Sequence, residues 1–446
     1  MEREAPAPSL AAAVSPAREY LELGLVVAGW LMLLFVQPHE ITGDAAIRYE
    51  TLVVLVENGR LSAREFSILQ PILAIPLYLA GKVVGDPPGG VSLFNALVLV
   101  GGSIGTYFLL RRHLDRHVLR RFLLLLAAAS MFPAHVRNFY GEVMTAIGAM
   151  LAAIFYSRGR TIAGAASAVL AVVNTPAAAV GQLLADAWRA VAGRRYLRPF
   201  VPLAIATGLV MLEFQLRRGS PFKSGYEGFH GFKTVLPYSG LEGFSYPFLL
   251  GLLAQVFSFG KGILFFAPGL VLCFAAASAP LGAEGRALQR SALWFTLGLL
   301  VVYSKWWSWY GGWYWGPRFL LFACVPASLA LAQHLTFPSG RLAVRWLALG
   351  ALALSSWVAV SGGVFDQANM GLCIERGYQL EHLCWYVPEF SALVRPFIVG
   401  EWPTDRRTIA LGGYFAVAFA ALAVPYARVL VVDSTRAAIA ALRRSP

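Results

Sequence analysis

The sequence predicts an all-α integral membrane protein with about twelve transmembrane helices. Hydrophobic residues make up 58% of the 446 residues, charged residues make up only 14%, and the mean hydropathy is +0.62. Apolar stretches recur along nearly the whole chain, and many are close to the ~20 residues that an α-helix needs to cross a bilayer. We therefore expect one polytopic membrane domain, residues 1–446, without a separate soluble domain.

The positions of the basic residues predict how the chain is oriented. Arginines cluster in short loops between alternate apolar stretches, for example at 111–121, 189–198 and 428–444. Such loops lie on the cytoplasmic side of a membrane, so both termini are predicted to be cytoplasmic and the protein to reside in the plasma (inner) membrane. The net charge of +13 is explained in this way, and no folded basic surface suggests a nucleic-acid partner. The polar leader has no clear cleavage site, so the first span is expected to anchor the protein.

With those loops inside, the predicted spans alternate in direction consistently. They cover about 21–37, 91–110, 122–134, 144–156, 162–173, 177–188, 199–214, 262–277, 293–303, 319–335, 343–360 and 410–432. Four segments are then external: the first loop (38–90), the second loop (215–246), the aromatic loop (304–318) and the last loop (365–408). Within the first loop, 45–56 and 71–84 are expected to be interfacial helices, although 71–84 could instead be a short span.

The aromatic loop is the densest cluster of rings in the chain. Seven aromatic residues stand within ten positions: Trp306, Trp307, Trp309, Tyr310, Trp313, Tyr314 and Trp315. Two glycines interrupt them, and Lys305 and Arg318 flank them. Trp and Tyr also favour the membrane interface, so a lipid-facing belt is one interpretation. Belts scatter their rings over many helix ends, so we favour a binding shelf for a ring-shaped polar ligand attached to an anion.

Two carboxylates stand at the predicted external face, where charged groups are candidates for function. Asp44 follows Gly43 at the start of an interfacial helix, so it could also be a helix cap, and both roles are compatible. Glu142 lies at the turn between the third and fourth spans. A structural ion pair between Glu142 and Arg137 is the alternative for this residue.

Four external cations are candidates for binding an anion. They are Arg217, Lys261, Lys305 and Arg318. Arginine can bind phosphate through two hydrogen bonds and lysine binds it as a point charge. Each of the four could instead extend toward lipid headgroups.

The cysteines predict one disulfide, and the sequence contains no metal motif. Cys373 and Cys384 share the last loop, close in sequence and in an oxidising compartment, so a structural disulfide is expected. Cys273 and Cys324 lie inside spans and are expected to pack in the core. The histidines are dispersed, so no cofactor is indicated; a divalent metal is possible but no motif supports it.

The order of these motifs resembles the C-type (GT-C) membrane glycosyltransferases that use dolichyl- or undecaprenyl-phosphate sugars. Three stretches carry the resemblance: Gly-Ser-Pro-Phe-x-x-Gly-Tyr at 219–226, Ser-Phe-Gly-Lys-Gly-Ile-Leu-Phe-Phe-Ala-Pro at 258–268, and Trp-x-x-Trp-Tyr-Gly-Gly-Trp-x-Trp-Gly-Pro-Arg-Phe-Leu at 306–320. The relatives include protein O-mannosyltransferases and the aminoarabinose transferase that modifies lipid A. The resemblance covers nearly the whole chain.

The resemblance implies a GT-C fold and a sugar transferase with its site on the periplasmic face. A polyprenyl-phosphate sugar would be the donor, and a hydroxyl of a glycan, lipid or protein the acceptor. Asp44 matches the acidic residue of the first loop that acts as general base or positions the acceptor, and the implied reaction is an inverting displacement in which this carboxylate takes the proton of the acceptor hydroxyl. Many members follow this Asp with Glu, whereas Ala45 follows here. Because Ala45 stands in that place, a paired acidic site, or a metal held by it, is not implied. Glu142 is the only obvious replacement for the missing Glu.

The same resemblance assigns roles to the remaining candidates. Arg318 and Lys261 would bind the donor phosphate, with Lys305 and Arg217 as weaker candidates. The rings expected beside the sugar or the lipid are Trp309, Tyr310, Trp313, Trp315 and Tyr226.

Two other classes of function stay open at this point. A transporter or flippase of lipid-linked sugars would show broken helices with ionisable residues at mid-membrane and a repeat between the two halves. We find no such repeat, and the candidate residues cluster at one predicted face. A non-catalytic subunit of a membrane assembly is the third possibility, and for it Asp44 should be replaceable.

Overall fold

The computed structural model describes residues 16–193, 198–312, 314–365, 373–400 and 402–443. The α-helices of the first half are α1 Pro16–Leu31, α2 Asp44–Asn58, α3 Leu69–Val84, α4 Pro87–Ser92, α5 Phe94–Leu110, α6 Arg116–Ala128, α7 Phe132–His135, α8 Gly141–Ser157, α9 Thr161–Asn174 and α10 Ala178–Gly193. Those of the second half are α11 Val201–Arg218, α12 Phe248–Phe257, α13 Ile263–Phe266, α14 Ala283–Lys305, α15 Cys324–Thr336, α16 Leu342–Val364, α17 Leu383–Tyr386, α18 Arg395–Val399 and α19 Arg406–Leu442.

The all-α membrane fold that the sequence predicts is confirmed. Within the described residues, six helical segments are long and apolar enough to cross a membrane: Ala17–Val36, Pro87–Leu110, Arg198–Arg218, Arg318–Thr336, Leu342–Val364 and Arg406–Leu442. Shorter apolar helices, among them α8 and α9, lie where the sequence predicts further spans. The two helices expected within the first loop are present as α2 and α3.

The predicted eighth span differs from the single helix that 262–277 suggests. It is divided into the short α13 and a 3₁₀ segment, Pro268–Phe274. The break falls where Pro268 lacks a backbone N–H and disfavours helical geometry at the residue before it. Just upstream, the apolar helix α12 stops at Phe257, and the segment 258–262 that follows contains two glycines. Residues 258–262 therefore form a non-helical turn between two helices, and this turn carries Lys261.

The core lies around α8 and the Arg318–Thr336 segment. The most apolar part of that segment is 89% buried inside the protein, against 17% for Arg198–Arg218, so most of the latter helix is exposed on the surface of the protein. Helix α8 packs against α5, α9 and α14, and most of its side chains are buried. Because α8 begins at Gly141, its first turn places Glu142 at one end of the core.

Candidate functional site

Asp44 opens α2 beside the aromatic loop. Gly43 precedes it at φ +56°, and a Cβ on Gly43 would lie 1.8 Å from the hydroxyl oxygen of Tyr314, so this close approach requires glycine. The backbone N–H of Asp44 donates to that hydroxyl at 3.1 Å. The side chain of Asp44 makes no capping hydrogen bond, since Gly43 is the cap residue. The carboxylate is therefore available for other partners.

Arg318 joins the two candidate carboxylates. One terminal nitrogen of its guanidinium donates to Asp44 Oδ2 at 2.5 Å, and the other lies 3.6 Å from Glu142 Oε1. The Arg318 side chain is 8% exposed, Glu142 14% and Asp44 24%, so the arginine is the most buried member of the group and Asp44 the most accessible. Within the described residues Glu142 pairs with Arg318 and not with Arg137. Two carboxylates on one cation leave the trio with a net negative charge.

The aromatic loop fixes the guanidinium of Arg318. Its Nε donates to the carbonyl of Gly311 at 2.7 Å, and its central carbon lies 4.5 Å from the centre of the Tyr314 ring. This stacking restricts the guanidinium to one plane. The Tyr314 hydroxyl lies 3.5 Å from Asp44 Oδ1, so the same tyrosine contacts both members of the ion pair.

Lys261 fixes the backbone of the aromatic loop through hydrogen bonds. Its side chain is buried, and its ammonium donates to the carbonyls of Gly312 and Gly316 at 3.0 Å each and to that of Tyr314. An ammonium has three N–H donors, so all of them are used. Lys261 was predicted to bind phosphate, and the structure places it instead as the group that fixes the backbone bearing Tyr314.

The turn before Glu142 is held by buried amides. Asn138 donates to Thr42 Oγ1 at 2.8 Å, and the Glu40 N–H donates to the Arg137 carbonyl at 2.9 Å, which ties the first loop to this turn. Asn95 Nδ2 donates to the carbonyls of Asn138 and Tyr140 at 2.6 and 2.7 Å. Buried amides with these bonds satisfied specify a single geometry. They position Glu142 opposite Asp44.

Arg48 belongs to the same site and was missed by sequence reasoning. It stands one turn after Asp44 on α2, is 6% exposed, and its Nε and Nη1 have no hydrogen-bond partner among the described residues. Its guanidinium lies 4.5 Å from the centre of the Phe66 ring, and Glu142 and Tyr226 are among its electrostatic neighbours. The i, i+4 spacing from Asp44 was the available signal, because such residues share one helix face.

The structure places the other predicted phosphate ligands away from this group. Arg217 is buried at the end of α11, where it donates to the carbonyls of Ser62 and Phe66 at 2.6 Å each and pairs with Glu213. Lys305 is exposed in the last turn of α14. Arg217 therefore orders the first loop. Of the four predicted cations, the structure brings Arg318 alone into direct contact with the carboxylates.

The rings predicted as a shelf are mostly buried. Trp309, Tyr310 and Trp315 are each 2–3% exposed. Tyr310 stacks on Trp385 with centroids 4.0 Å apart, and Trp315 donates to Ser361 at 3.2 Å. Their faces meet other side chains instead of an open cleft.

The two remaining ring candidates are Tyr226 and Trp313. Tyr226 is partly buried, lies edge-on to Phe66 and Trp306, and counts Arg48 among its electrostatic neighbours, so it does face the site. Trp313 lies outside the described residues.

Part of the last loop packs against the aromatic loop. Cys373 and Cys384 are joined by a disulfide with their Cα atoms 5.9 Å apart. Glu381, between them in sequence, is buried and accepts a hydrogen bond from the Tyr310 hydroxyl at 3.0 Å. Burial raises the pKa of Glu381 to about 7. Sequence reasoning missed Glu381 because nothing in its neighbourhood marks it as buried.

Among the described residues, no three side chains of the His, Cys, Asp and Glu types are placed to hold a metal ion. The two carboxylates of the site instead share the guanidinium of Arg318. The arrangement suits a site where a cation neutralises phosphate and a partly exposed carboxylate accepts a proton.

Two solved structures share the fold of this chain. The chain aligns with ArnT from Cupriavidus metallidurans bound to undecaprenyl phosphate at a TM-score of 0.51 and 15% identity, over 91% of this chain and 78% of ArnT. For the apo state of ArnT the TM-score is 0.50 at 15% identity, over 92% and 79% of the two chains. The predicted resemblance in fold is thus confirmed. No protein-family model and no curated protein sequence matches the chain.

Proposed function

We propose that this protein is a membrane glycosyltransferase that moves a sugar from a polyprenyl-phosphate donor to an acceptor hydroxyl on the periplasmic face. The observation that carries the proposal is the trio of Asp44, Arg318 and Glu142, in which one buried guanidinium joins two carboxylates. The shared fold with ArnT, solved with undecaprenyl phosphate, supports the choice of donor.

Asp44 is the proposed general base. It is the most accessible group of the trio, with 24% of its side chain exposed, and its position is fixed at the start of α2. It would accept the proton of the acceptor hydroxyl as the oxygen attacks the anomeric carbon. Attack opposite the phosphate inverts that carbon, and base catalysis of this kind contributes roughly 10²–10⁴-fold. The phosphate leaves already ionised, so no general acid is needed.

Arg318 and Arg48 are the proposed ligands of the donor phosphate. Charge grows on the phosphate oxygens as the sugar departs, and fixed cations stabilise that charge most. Arg318 is held in place by Gly311 and Tyr314, while Arg48 has two donor nitrogens that no described residue bonds. An arginine in this state can form two parallel hydrogen bonds to phosphate. Glu142 keeps Arg318 oriented from the other side.

Replacing Asp44 with Asn tests the proposal. Membranes or proteoliposomes holding the full chain would be given a panel of radiolabelled polyprenyl-phosphate sugars with envelope glycans, lipids and proteins as acceptors. Transfer by Asp44→Asn should fall by at least about 10²-fold while donor binding survives. Glu50→Gln is the matched control, because Glu50 lies on the same helix, is half exposed, and pairs only with Arg64 among the described residues.

Two results would contradict the proposal. Undiminished transfer by the Asp44→Asn protein would remove the catalytic assignment. Movement of the labelled donor across the bilayer, without transfer to any acceptor, would favour the flippase interpretation instead.

A further inference from the structure

A groove lies between α16 and α19, apart from the candidate site. It encloses about 430 Å³, within the roughly 300–1,000 Å³ of ligand pockets in proteins. Its walls are almost entirely apolar, with Trp357 and Val360 on α16 facing Phe415 and Phe419 on α19. A groove of this composition fits hydrocarbon and offers almost nothing to a polar ligand.

Helix α16 separates the groove from the aromatic loop. Ser361 accepts a hydrogen bond from Trp315, and Gly362 packs against the same ring, whereas Val360 and Val364 line the groove. Both α16 and α19 are candidate membrane spans, and Ile409, also in the groove wall, is exposed. The groove therefore opens into the bilayer and is distinct from the site at Asp44.

The length of the groove matches one leaflet. Its lining on α16 runs from Ala353 to Val364, which is roughly 16 Å at 1.5 Å per residue. The hydrocarbon core of a bilayer is about 30 Å thick, so the groove is long enough to reach from the membrane surface to near the midplane. A chain that enters from the leaflet on the side of the site would fill it.

The surface end of the groove carries two arginines next to Asp405, whose carboxylate accepts a hydrogen bond from the Thr408 N–H. Arg406 and Arg407 begin α19, immediately before the groove-lining Ile409; both are exposed and form no ion pair with a described residue. Trp402 and Phe365 form the rim, with ring centroids 5.1 Å apart. Aromatic rings favour the headgroup level, and paired arginines at a helix N-terminus favour an anion there.

We infer that this groove binds one acyl chain of an anionic phospholipid from the leaflet on the side of the site. The chain lies between α16 and α19, and the headgroup phosphate contacts Arg406 and Arg407. The apolar walls set the preference for hydrocarbon, and the exposed arginines set the preference for a headgroup with net negative charge. This lipid site is independent of the proposed transfer reaction.

Photolabelling of the full chain in nanodiscs tests the inference. The probe is a phosphatidylglycerol with a photoactivatable group in its acyl chain, and mass spectrometry maps the labelled peptides. Gly412 lines the groove with Val364 3.8 Å from its added Cβ, whereas neighbouring Gly413 is outside the lining and has nothing within 4 Å. Gly412→Leu should weaken labelling of 353–364 and 409–419 about tenfold, the loss expected if roughly two methylenes leave the groove. Gly413→Leu should label normally.

Further variants keep the test decisive. Ala416→Leu fills the same groove from a second position, in case Gly412→Leu folds poorly. Arg406→Gln with Arg407→Gln should abolish the preference for phosphatidylglycerol over phosphatidylcholine as competitor. Equal labelling of the Gly412→Leu and Gly413→Leu proteins would overturn the groove as the site. Equal competition by the two lipids in the unmodified protein would overturn the anionic headgroup, and stronger competition by polyprenyl phosphate would assign the groove to that lipid instead.

Discussion

Replacing Arg318 with alanine should lower both the folding free energy of the protein and the rate of transfer, and the two effects can be measured separately. The change leaves Asp44 and Glu142 close together without the cation that joins them at 2.5 and 3.6 Å. Removing one partner of a buried ion pair costs about 3–5 kcal/mol of folding free energy. Asp44 keeps 24% of its side chain exposed, which favours the lower end of that range because solvent stabilises the remaining charge.

The effect on the reaction should be larger than the effect on folding. Loss of one fixed donor to a developing oxyanion typically lowers kcat by roughly 10²–10³-fold. Donor affinity should also fall, since Arg318 is one of two proposed phosphate ligands. Arg318→Lys keeps the charge but cannot contact both carboxylates and Gly311, so it should recover stability more than turnover.

The assay is radiolabelled transfer at several donor concentrations, together with thermal unfolding of the purified protein. Arg345→Ala is the matched control. Arg345 pairs with Asp433 at 2.5 Å, is similarly buried, and lies near the cytoplasmic ends predicted for α16 and α19. It should lower the unfolding temperature without changing kcat. Normal donor affinity and normal turnover in the Arg318→Ala protein would refute the role of Arg318 in the phosphate site.

Three further predictions follow from the surroundings of the site. Gly43→Ala should lower transfer sharply by displacing the Tyr314 hydroxyl, whereas Gly59→Ala, also at positive φ but with open space around it, should cost stability alone. Lys261→Met leaves three loop carbonyls without their hydrogen-bond donor. The unfolding temperature should therefore drop, by an amount equivalent to roughly 3 kcal/mol or more of folding free energy. An unchanged unfolding temperature would contradict the assigned contacts. Glu381 has a pKa raised from 4.5 to about 7, so its buried carboxyl favours the folded state at low pH, and this contribution is lost as pH rises from 4.5 through 7. The free energy of unfolding should therefore differ between pH 5 and pH 8 by about 3 kcal/mol at most, and by less in the Glu381→Gln protein. An equal pH dependence of the two proteins would contradict this contribution of Glu381.

The membrane architecture could be predicted from the sequence because it depends on local composition. Span positions follow from apolar length, and the two helices predicted within the first loop appear as α2 and α3. The orientation from the arginine loops and the interfacial placement of these two helices stay predictions. The interruption of the eighth span was harder to predict, because the turn at 258–262 and the break at Pro268 depend on how glycine and proline are accommodated by their neighbours. Hydropathy averages over such breaks.

The site was only partly predictable because its contacts are distant in sequence. Asp44 and Arg318 stand out as charges at the edges of apolar spans, and the structure joins them across 274 positions. Arg48 and Glu381 carry no local mark of burial, and their environment depends on which segments fold over them. Lys261 looked like an anion ligand because a sequence does not reveal that three carbonyls surround it.

The burial of the aromatic loop changes what its rings are for. A ring-rich loop that binds a ligand must leave ring faces open, yet Trp309, Tyr310 and Trp315 are packed against neighbouring side chains. Stacked and edge-on rings of this kind form a rigid support. What this support holds in place is the backbone of residues 311–312 and 314–318, and with it the guanidinium of Arg318 beside Asp44. Electrostatic stabilisation of a departing phosphate depends on donors that do not reorganise during the reaction. The rings therefore contribute most by fixing the position of the cation.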